Sequence, residues 1–472
     1  MKRLAVVLGL VVLGGTAASG ADLRALRPDT ELFVDDVRIA RRTDVVRKIV
    51  PARRLARPVL EPDRPWERGA AVRIYGSVLR DEATGEFRMW YSRQYATSPD
   101  GIRWTKPGLD VEEFAGQRTN FVLPQGGGAV IFDGLEPDPA KRYKAFCNEP
   151  IQVGGFSGYH SADGIHWVRY GTDRILKVGS ELGHLMRDPA TRKYVAYVRP
   201  YPPKHHPKDI RERRLGAVVT SDDFVHWSEL RVVLVPDALD DAWVERPEQR
   251  TEFYAMNGFA YGHSYLGVVP VFRITAIHTT NAPGQSRYDG PMEGQLITSR
   301  DGLSWRRMDE REPVLPGGPD FDRSIMNVAI APLVVGDEVW HYYTGINATH
   351  GAPIPPKRIT IGLARWRLDG WVALEAGPTE GVVETVAVNA SGGRLEINAD
   401  LTRGRMVVEV LDRDGKVRPG FAAADQVALQ GDHVRHPVRW GARDTLPVGE
   451  EIRLRFRWRQ GRLFSYTVPR GR

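Results

Sequence analysis

Short stretches of alternating apolar and polar residues, separated by turns rich in Gly and Asp, run along most of the chain. The first clear group has such stretches at residues 76–79 and 87–91, with a turn at 81–85 between them. Alternation with a period of two residues is typical of a β-strand with one buried face. No segment keeps an apolar period of 3.6 residues for long, so the pattern predicts an all-β protein.

One turn motif recurs at the ends of these strand groups. It has the form Ser-x-Asp-Gly-x-x-Trp and begins at Ser98, Ser161 and Ser299, with a Phe in place of the Gly in the copy at Ser221 and a weaker copy at 366–371. Asp-Gly favours a tight hairpin, because glycine accepts the positive φ that such a turn requires. A position that repeats in every unit is a poor candidate for a unique site, so we assign the Trp residues of the motif to the structure of the units.

About four strands accompany each copy of the motif. Four-stranded units that repeat around an axis form a β-propeller, and four good copies plus a weak one predict five blades. The repeat is longer than the roughly 40 to 50 residues of WD40 or kelch blades. After about residue 375 the repeat stops, and short alternating strands joined by Gly and Asp turns predict a β-sandwich. We therefore expect an N-terminal extension at 21–66, a five-bladed β-propeller at 67–375 and a C-terminal β-sandwich at 376–472.

The N-terminus has the pattern of an export signal. Lys2 and Arg3 precede an apolar run at residues 4–13, and small residues follow at 16–21. The apolar run is shorter than the roughly 20 residues that span a bilayer, so we expect a leader at 1–20 and an exported protein, periplasmic or extracellular. The chain has a single cysteine, Cys147, which excludes an internal disulfide.

The positive charge of the chain is carried mainly by arginine. Of its 66 basic residues only 11 are Lys, and with 59 acidic residues the formal net charge is +7. No basic run alternates with aromatic residues as in a nucleic-acid-binding module, so we expect no nucleic acid partner. Two interpretations of the excess stay open: a compositional bias toward Arg, or an anionic ligand, because guanidinium pairs bidentately with carboxylate and sulfate.

Several stretches resemble a known architecture. They are residues 31–36 (Glu-Leu-Phe-Val-Asp-Asp), 65–67 (Pro-Trp-Glu), 87–91, 411–415 and 431–436, together with the repeated turns. With them the chain resembles exported bacterial five-bladed propeller proteins that are similar to glycoside hydrolase families 32 and 43, and in particular to the family 32 N-terminal domain. The resemblance implies hydrolysis of glycosidic bonds.

The chain also departs from the family 32 pattern. The Asn-Asp-Pro-Asn-Gly stretch that carries the nucleophile in that family is absent from this sequence. Arg187-Asp188-Pro189 resembles the family's Arg-Asp-Pro motif, but it aligns with turns of the earlier units, and we interpret it as a blade turn.

Glycoside hydrolysis needs two carboxylates that flank the bond to be cleaved. In a propeller they would project from the innermost strands into the axial funnel, so acids directly before the first strand of a unit are the candidates. These are Glu252, Asp322 and Glu67, and Glu181 occupies a similar position. A partly apolar setting would favour Glu252 as the general acid, and the neighbouring Arg323 would keep Asp322 ionised.

Side chains near these carboxylates are candidates for binding the sugar. Aromatic rings stack on sugar faces, and guanidinium groups bind acidic substituents. The candidates are Trp66, Arg73, Tyr75, His184, Arg250, Tyr254, Arg323 and Asn327. We expect no metal and no other cofactor, because no Cys/His zinc spacing, phosphate-binding Gly-rich loop or Gly-x-Ser-x-Gly elbow occurs in the sequence.

The sequence therefore predicts an exported glycoside hydrolase-like monomer that acts on poly- or oligosaccharides, acidic or sulfated ones among them, with no membrane partner. Two alternatives stay open, because a fold does not determine a function. A non-catalytic carbohydrate-binding propeller would be favoured by a funnel with fewer than two facing carboxylates. A sialidase is the other alternative, with a turn motif one residue longer and six blades.

Overall fold

The computed structural model of the chain describes residues 25–67, 71–124, 126–150, 153–178, 183–200, 213–279 and 282–468. The predicted leader and Glu181 lie outside these ranges. Regular structure in the described chain consists of β-strands and three short 3-10 turns, at Pro65–Glu67, Pro139–Lys141 and Ala423–Asp425, so the predicted all-β class is confirmed. Over the same ranges, no helix has the length and apolar character needed to cross a membrane.

The N-terminal segment contains four short strands that pair with later parts of the chain. They are β1 (Thr30–Leu32), β2 (Ile39–Thr43), β3 (Val45–Ile49) and β4 (Arg53–Arg54). The first three join the C-terminal sheet, and β4 pairs with the last strand of the last blade. The start of the described chain is thereby hydrogen-bonded to both domains.

Five antiparallel sheets follow one another along the chain and confirm the predicted five-bladed propeller. The first blade has three strands, and a backbone bridge between Thr97 and Thr105 extends its outer edge. A small hairpin of β8 and β9 follows it. The strands up to the third blade are β5 (Ser77–Arg80), β6 (Phe87–Tyr91), β7 (Gln94–Ser98), β8 (Glu113–Phe114), β9 (Gln117–Arg118), β10 (Gly128–Phe132), β11 (Tyr143–Asn148), β12 (Phe156–Ser161), β13 (Val168–Arg169), β14 (Gly183–Arg187), β15 (Tyr194–Val198), β16 (Gly216–Ser221) and β17 (Arg231–Leu234).

The fourth and fifth blades have additional short strands at their edges. In the fourth blade these accompany a long central pair, and in the fifth blade β4 supplies the outermost strand. The strands are β18 (Arg250–Phe253), β19 (Phe259–Tyr261), β20 (Ser264–Ile274), β21 (Ala276–Ile277), β22 (Tyr288–Asp289), β23 (Met292–Ser299), β24 (Trp305–Arg307), β25 (Pro313–Leu315), β26 (Ser324–Val328), β27 (Leu333–Val335), β28 (Glu338–Ile346) and β29 (Ile359–Arg367).

Neighbouring blades are joined by hydrogen bonds near the axis. The Ser77 hydroxyl accepts from the backbone N–H of Val130 at 2.8 Å, between the first and second blades. The Ile330 N–H donates to the Gly76 carbonyl at 3.1 Å, between the last blade and the first. Strand β4, which precedes the first blade in the chain, pairs with β29 of the last blade. The two ends of the propeller segment are therefore hydrogen-bonded to each other.

The C-terminal domain contains one ten-stranded sheet that includes β1, β2 and β3. Its long strand β33 pairs through its first half with β36 and through its second half with β35. Apolar side chains from both halves share one core, so the sheet encloses it. The remaining strands are β30 (Val372–Ala376), β31 (Gly381–Thr385), β32 (Val388–Ser391), β33 (Glu396–Asp412), β34 (Leu429–Pro437), β35 (Val448–Arg459) and β36 (Gly461–Thr467).

The side chains of residues 32–34 pack alternately into the cores of the two domains. Leu32 and Val34 pack into the core that contains Phe259 of the fourth blade. The ring of Phe33, which points to the opposite side, lies 6.3 Å from the ring of Phe456 in the C-terminal core. Successive side chains of an extended segment face opposite ways, so this one segment anchors both domains.

Candidate functional site

Tyr75 and Tyr254 meet near the end of the axis at which the innermost strands begin. Tyr75 lies two residues before β5, and Tyr254 directly follows β18. Their hydroxyl oxygens are 3.3 Å apart, and the Tyr75 hydroxyl donates to Sδ of Met326 in β26 at 3.0 Å. Burial raises the pKa of Tyr75 well above its ordinary value, so this hydroxyl keeps its proton. The structure thus brings together two predicted sugar-binding residues, from the first and fourth blades.

Three guanidinium groups surround this tyrosine pair, and we call Arg199, Arg214 and Arg250 the arginine cluster. Arg199 donates to the Tyr254 carbonyl at 3.1 Å, and its guanidinium carbon lies 5.2 Å from the centre of the Tyr254 ring. The guanidinium of Arg214 is 5.5 Å from the same ring. Arg250 lies 4.9 Å from the ring of Tyr288. The cluster therefore combines cationic charge with aromatic faces.

Glu252 holds two members of the arginine cluster side by side. Its side chain is 1% exposed, and each carboxylate oxygen accepts from a different guanidinium, Oε2 from Arg214 at 2.5 Å and Oε1 from Arg250 at 2.7 Å. The setting is therefore ionic and not the partly apolar one expected from the sequence, because Arg214 enters from the third blade. A carboxylate fully engaged by two cations positions those cations.

His350 contacts the tyrosine pair from the loop between β28 and β29. Its Nδ1 lies 3.0 Å from the Tyr288 carbonyl, and a carbonyl only accepts, so Nδ1 carries the proton. The lone pair of Nε2 then faces the Tyr254 hydroxyl at 3.4 Å. Burial lowers the pKa of His350 to about 4, and the charges of Arg214, Lys357 and Arg199 act in the same direction. The ring is therefore neutral near pH 7.

Two further cations complete this end of the axis. The ammonium of Lys357 donates to the carbonyls of Gly284 and His350, at 2.8 and 2.9 Å. Burial, together with the neighbouring charge of Arg73, lowers the pKa of Lys357 to about 8. Arg73 is half-buried and makes no ion pair with any of the described residues. Arg73 is among the residues predicted from the sequence. No local signal separates Lys357, His350, Arg199 and Arg214 from other residues of their type.

Two predicted residues fill the axis instead of lining an open funnel. The His184 ring lies 3.2 Å, through Nε2, from the Val328 carbonyl of the fifth blade, and burial lowers its pKa to about 4. The Asn327 amide donates to the Ile74 carbonyl at 2.9 Å and is fully buried. Both side chains therefore connect innermost strands of different blades.

The three predicted catalytic carboxylates are not brought together. Asp322 accepts from Arg54 at 3.0 Å and from the Tyr343 hydroxyl at 2.7 Å, whereas the adjacent Arg323 is exposed and donates to the Pro319 carbonyl. The guanidinium that pairs with Asp322 is thus not the one expected from the sequence. No side-chain contact links Asp322 with Glu252 in the part of the chain that the structure describes.

Glu67 and Trp66 belong to a separate region at the outer side of the first blade. Glu67 accepts from the Lys106 ammonium at 2.8 Å and from the Tyr91 hydroxyl at 3.1 Å. The Trp66 indole donates to Asn120 at 2.9 Å. These contacts connect the segment before the propeller to the first blade, and neither residue contacts the tyrosine pair.

The Arg187-Asp188-Pro189 stretch forms the turn between β14 and β15, as interpreted from the sequence. Asp188 accepts from the backbone N–H groups of Ala190 and Thr191, both at 3.1 Å, and from the Tyr265 hydroxyl of the fourth blade at 2.6 Å. Both oxygens of this carboxylate therefore accept hydrogen bonds from the turn or from the neighbouring blade. The motif is therefore structural in this chain.

A cavity of about 350 Å³ lies toward the opposite end of the axis, where the innermost strands end. Its lining is mainly apolar and includes Val78, Ile131, Leu185, Phe259 and Leu333. None of the residues predicted to bind or cleave a sugar lines it. The arginine cluster and this cavity thus lie at different ends of the propeller axis.

The fold and the site define a five-bladed propeller with an arginine-rich group of side chains at one end of its axis. No family model matches the chain, and no curated protein sequence matches it. Solved structures do match, and they include members of the glycoside hydrolase family 32 that the sequence resembles. A family 32 β-fructofuranosidase of Bombyx mori has 8% identity and a TM-score of 0.42, over 88% of this chain and 94% of that one.

Two other solved structures are similar in extent. An N-acetylgalactosamine deacetylase from F. plautii, in complex with blood group B trisaccharide, has 14% identity and a TM-score of 0.40, over 73% of this chain and 94% of that one. A β-1,2-mannobiose phosphorylase from Listeria innocua has 12% identity and a TM-score of 0.38, over 67% of this chain and 97% of that one. Similarities of this size assign no activity to the chain.

Proposed function

We propose that this protein is an exported, monomeric, carbohydrate-active propeller that binds acidic oligosaccharides at the arginine cluster and cleaves their glycosidic bonds. The observation that carries the proposal is the approach of Arg199 and Arg214 to the ring of Tyr254, beside the contact between the two tyrosine hydroxyls. Guanidinium groups match the planar geometry of a carboxylate or sulfate and bind it through paired hydrogen bonds. Tyrosine supplies an apolar ring for a sugar face and a hydroxyl that donates or accepts.

Cationic side chains gather at this end of the axis with two carboxylates among them, and guanidinium groups in such a setting favour a ligand with negative charge. The cations are Arg73, Arg199, Arg214, Arg250 and Lys357, and the carboxylates are Glu252 and Asp289. Because Glu252 holds two guanidiniums side by side, little reorganisation is needed when an anion binds.

Calorimetric titration with oligogalacturonides, and with a neutral oligosaccharide of equal length, tests the binding step. Charge-assisted hydrogen bonds are worth about 1.5–3 kcal/mol, so Arg214→Met and Arg250→Met should each weaken oligogalacturonide binding by about tenfold to a hundredfold. Arg323→Met is the matched control, because Arg323 is exposed and donates only to a backbone carbonyl. Neutral sugars that bind as tightly as the acidic ones would overturn the proposal.

A non-catalytic carbohydrate-binding propeller is the second candidate. It is favoured by the state of Glu252, whose two oxygens are both occupied by guanidiniums. Product analysis after incubation with the same oligogalacturonides separates the two candidates. New chain ends support cleavage, and tight binding without any new chain end identifies the binding protein.

A further inference from the structure

The apolar cavity at the far end of the propeller axis has the size and the wall of a site for a small molecule. Its volume is about 350 Å³, and every blade contributes at least one buried apolar side chain to its wall. These side chains are Val78, Ile131, Leu185, Phe259 and Ile330, in the order of the blades. Small-molecule sites are typically cavities of roughly 300–1,000 Å³ with mainly apolar walls and a few polar groups.

This cavity is separate from the site to which we assign the sugar. It opens to solvent on one side, because the exposed residues Arg80 and Glu82 line it. Toward the other end, the side chains of His184 and Asn327 fill the axis and contact carbonyls of neighbouring blades. A ligand of this cavity therefore contacts none of the arginine cluster.

Five charged side chains of the described chain line the cavity, and one of them is not fully engaged. Arg88 donates through all three of its nitrogens to acceptors of the protein. The carboxylate of Asp81 accepts from two backbone N–H groups of its own turn. Arg80 and Glu82 are exposed to solvent. The remaining charged group is Arg187, at the end of β14.

The guanidinium of Arg187 has hydrogen-bond donors to spare. Its Nε and Nη1 are shielded from solvent and have no hydrogen-bond acceptor among the described residues. Oδ2 of Asp133 lies 3.7 Å from Nε, which is too far for a hydrogen bond, and accepts from the Tyr194 hydroxyl. The guanidinium carbon lies 4.0 Å from the centre of the Tyr194 ring. A shielded donor without an acceptor is costly, so Arg187 favours a ligand that brings one.

We propose that this cavity binds a medium-chain aliphatic carboxylate, with its hydrocarbon chain against the wall shared by the five blades and its carboxylate on Arg187. A carboxylate matches the planar guanidinium and accepts two of its N–H groups at once. The inference is independent of the proposed function, because the two sites have no residue in common.

Arg187 is free to turn toward such a ligand. Its side chain is 14% exposed and forms part of the cavity wall, so a rotation away from the Tyr194 ring brings its N–H groups to the cavity. Asp133 does not depend on Arg187 for hydrogen bonds, since it keeps those from the Leu135 N–H, at 3.0 Å, and from the Tyr194 hydroxyl. The turn of Arg187 therefore leaves the carboxylate of Asp133 satisfied.

Calorimetric titration of the whole protein with hexanoate, octanoate and decanoate, each below its micelle concentration, tests the apolar part of the site. Every additional methylene removes more apolar surface from water, so Kd should fall by about fourfold per methylene. Octanol tests the charged part. It has the same chain as octanoate but no carboxylate, so it should bind about tenfold to a hundredfold more weakly.

Two variants locate the ligand. Arg187→Met should weaken octanoate binding by about tenfold to a hundredfold and leave octanol binding within about twofold of the wild type. Arg192→Met is the matched control, because Arg192 is exposed in the same turn and does not line the cavity. Leu333→Trp places a larger side chain in the cavity and should abolish binding of both compounds. Urea unfolding shows whether each variant is folded.

The outcomes decide the proposal. An affinity that increases with chain length, depends on Arg187 and is lost in a folded Leu333→Trp protein supports it. Octanol that binds as tightly as octanoate, or octanoate binding that Arg187→Met leaves unchanged, overturns it. Binding that persists in Leu333→Trp, or no binding of any of the four compounds, overturns it as well.

Discussion

The hydroxyl of Tyr342 in the fifth blade donates to the carbonyl of Gly101 in the first blade at 2.7 Å. Gly101 belongs to the first copy of the repeated turn, where its φ is +73°. The same relation joins the first blade to the second, where the Trp90 indole donates to the Gly164 carbonyl at 2.7 Å. In both cases an aromatic side chain of one blade donates a hydrogen bond to the turn of the next blade. The Tyr342 contact is the one that joins the last blade to the first.

Removing the hydrogen bond between Tyr342 and Gly101 should destabilise the propeller. Tyr342→Phe deletes one buried hydrogen bond between neutral groups, so we expect the free energy of unfolding to fall by about 1 kcal/mol. Urea unfolding followed by tryptophan fluorescence measures the change. Tyr159→Phe is the matched control, because its hydroxyl makes no side-chain hydrogen bond among the described residues. Equal midpoints for the two variants would show that the contact contributes nothing.

Glu67→Gln should affect stability and not the binding of sugar. Lys106 is 3% exposed in its side chain, and loss of its Glu67 partner leaves a buried ammonium with fewer acceptors. Lys106 keeps Asp63 and the Glu61 carbonyl as acceptors, so we expect the loss of one hydrogen bond between charged groups, about 1.5–3 kcal/mol, which urea unfolding can detect. The exposed Glu61→Gln serves as the control. A folded Glu67→Gln protein of normal stability that has lost activity would instead support the catalytic role predicted from the sequence.

The contact between Arg300 and the N-terminal segment should contribute to holding the two domains together. The guanidinium binds both oxygens of Asp35, at 2.5 and 2.9 Å, and Oε1 of Glu31 at 3.1 Å. Because hydrogen bonds to charged groups are worth about 1.5–3 kcal/mol, we expect Arg300→Met to lower the free energy of unfolding by about 2 kcal/mol. Arg306→Met, at an exposed position of the same blade, should cause no measurable loss. Calorimetric unfolding compares the two.

Acid should weaken the second copy of the repeated turn. Burial opposes the charge of Asp163, but hydrogen bonds from the backbone and ring of His166 outweigh it and lower the pKa of Asp163 to about 2. The unfolded value is about 3.9, so the stabilisation is present above pH 4 and is lost as the pH falls through 2. Urea midpoints measured between pH 5 and 2 should fall less steeply for Asp163→Asn than for the wild type. Parallel curves would contradict this role.

The blades could be predicted because their signals are local. In the first turn the Ser98 hydroxyl accepts from the Gly101 N–H at 2.8 Å, and Asp100 accepts from the N–H groups of Ile102 and Arg103. All of these contacts lie within a few residues, so the residue types and their spacing encode the turn. The copy with Phe224 keeps the conformation, with φ +70°, although it lacks the glycine.

The candidate site was predicted only in part. Tyr75, Tyr254 and Arg250 were identified because they border the first strands of units, and the structure brings them together. Arg214 and His350 come from the third and fifth blades, and nothing near them in the sequence indicates a site. The partner of Asp322 shows the same limit, since Arg54 is 268 residues away and the adjacent Arg323 points elsewhere.

The sequence by itself determined the strand content, the repeated turns, the number of blades and the change to a second β-rich domain. These follow from contacts between residues close in the chain, where side-chain alternation and turn chemistry decide the conformation. Only the tertiary structure decided that β1, β2 and β3 complete the C-terminal sheet and that Glu252 holds two arginines. Ion pairs and strand pairings across blades depend on how the ring closes. The sequence around a charged residue does not indicate which distant residue will pair with it.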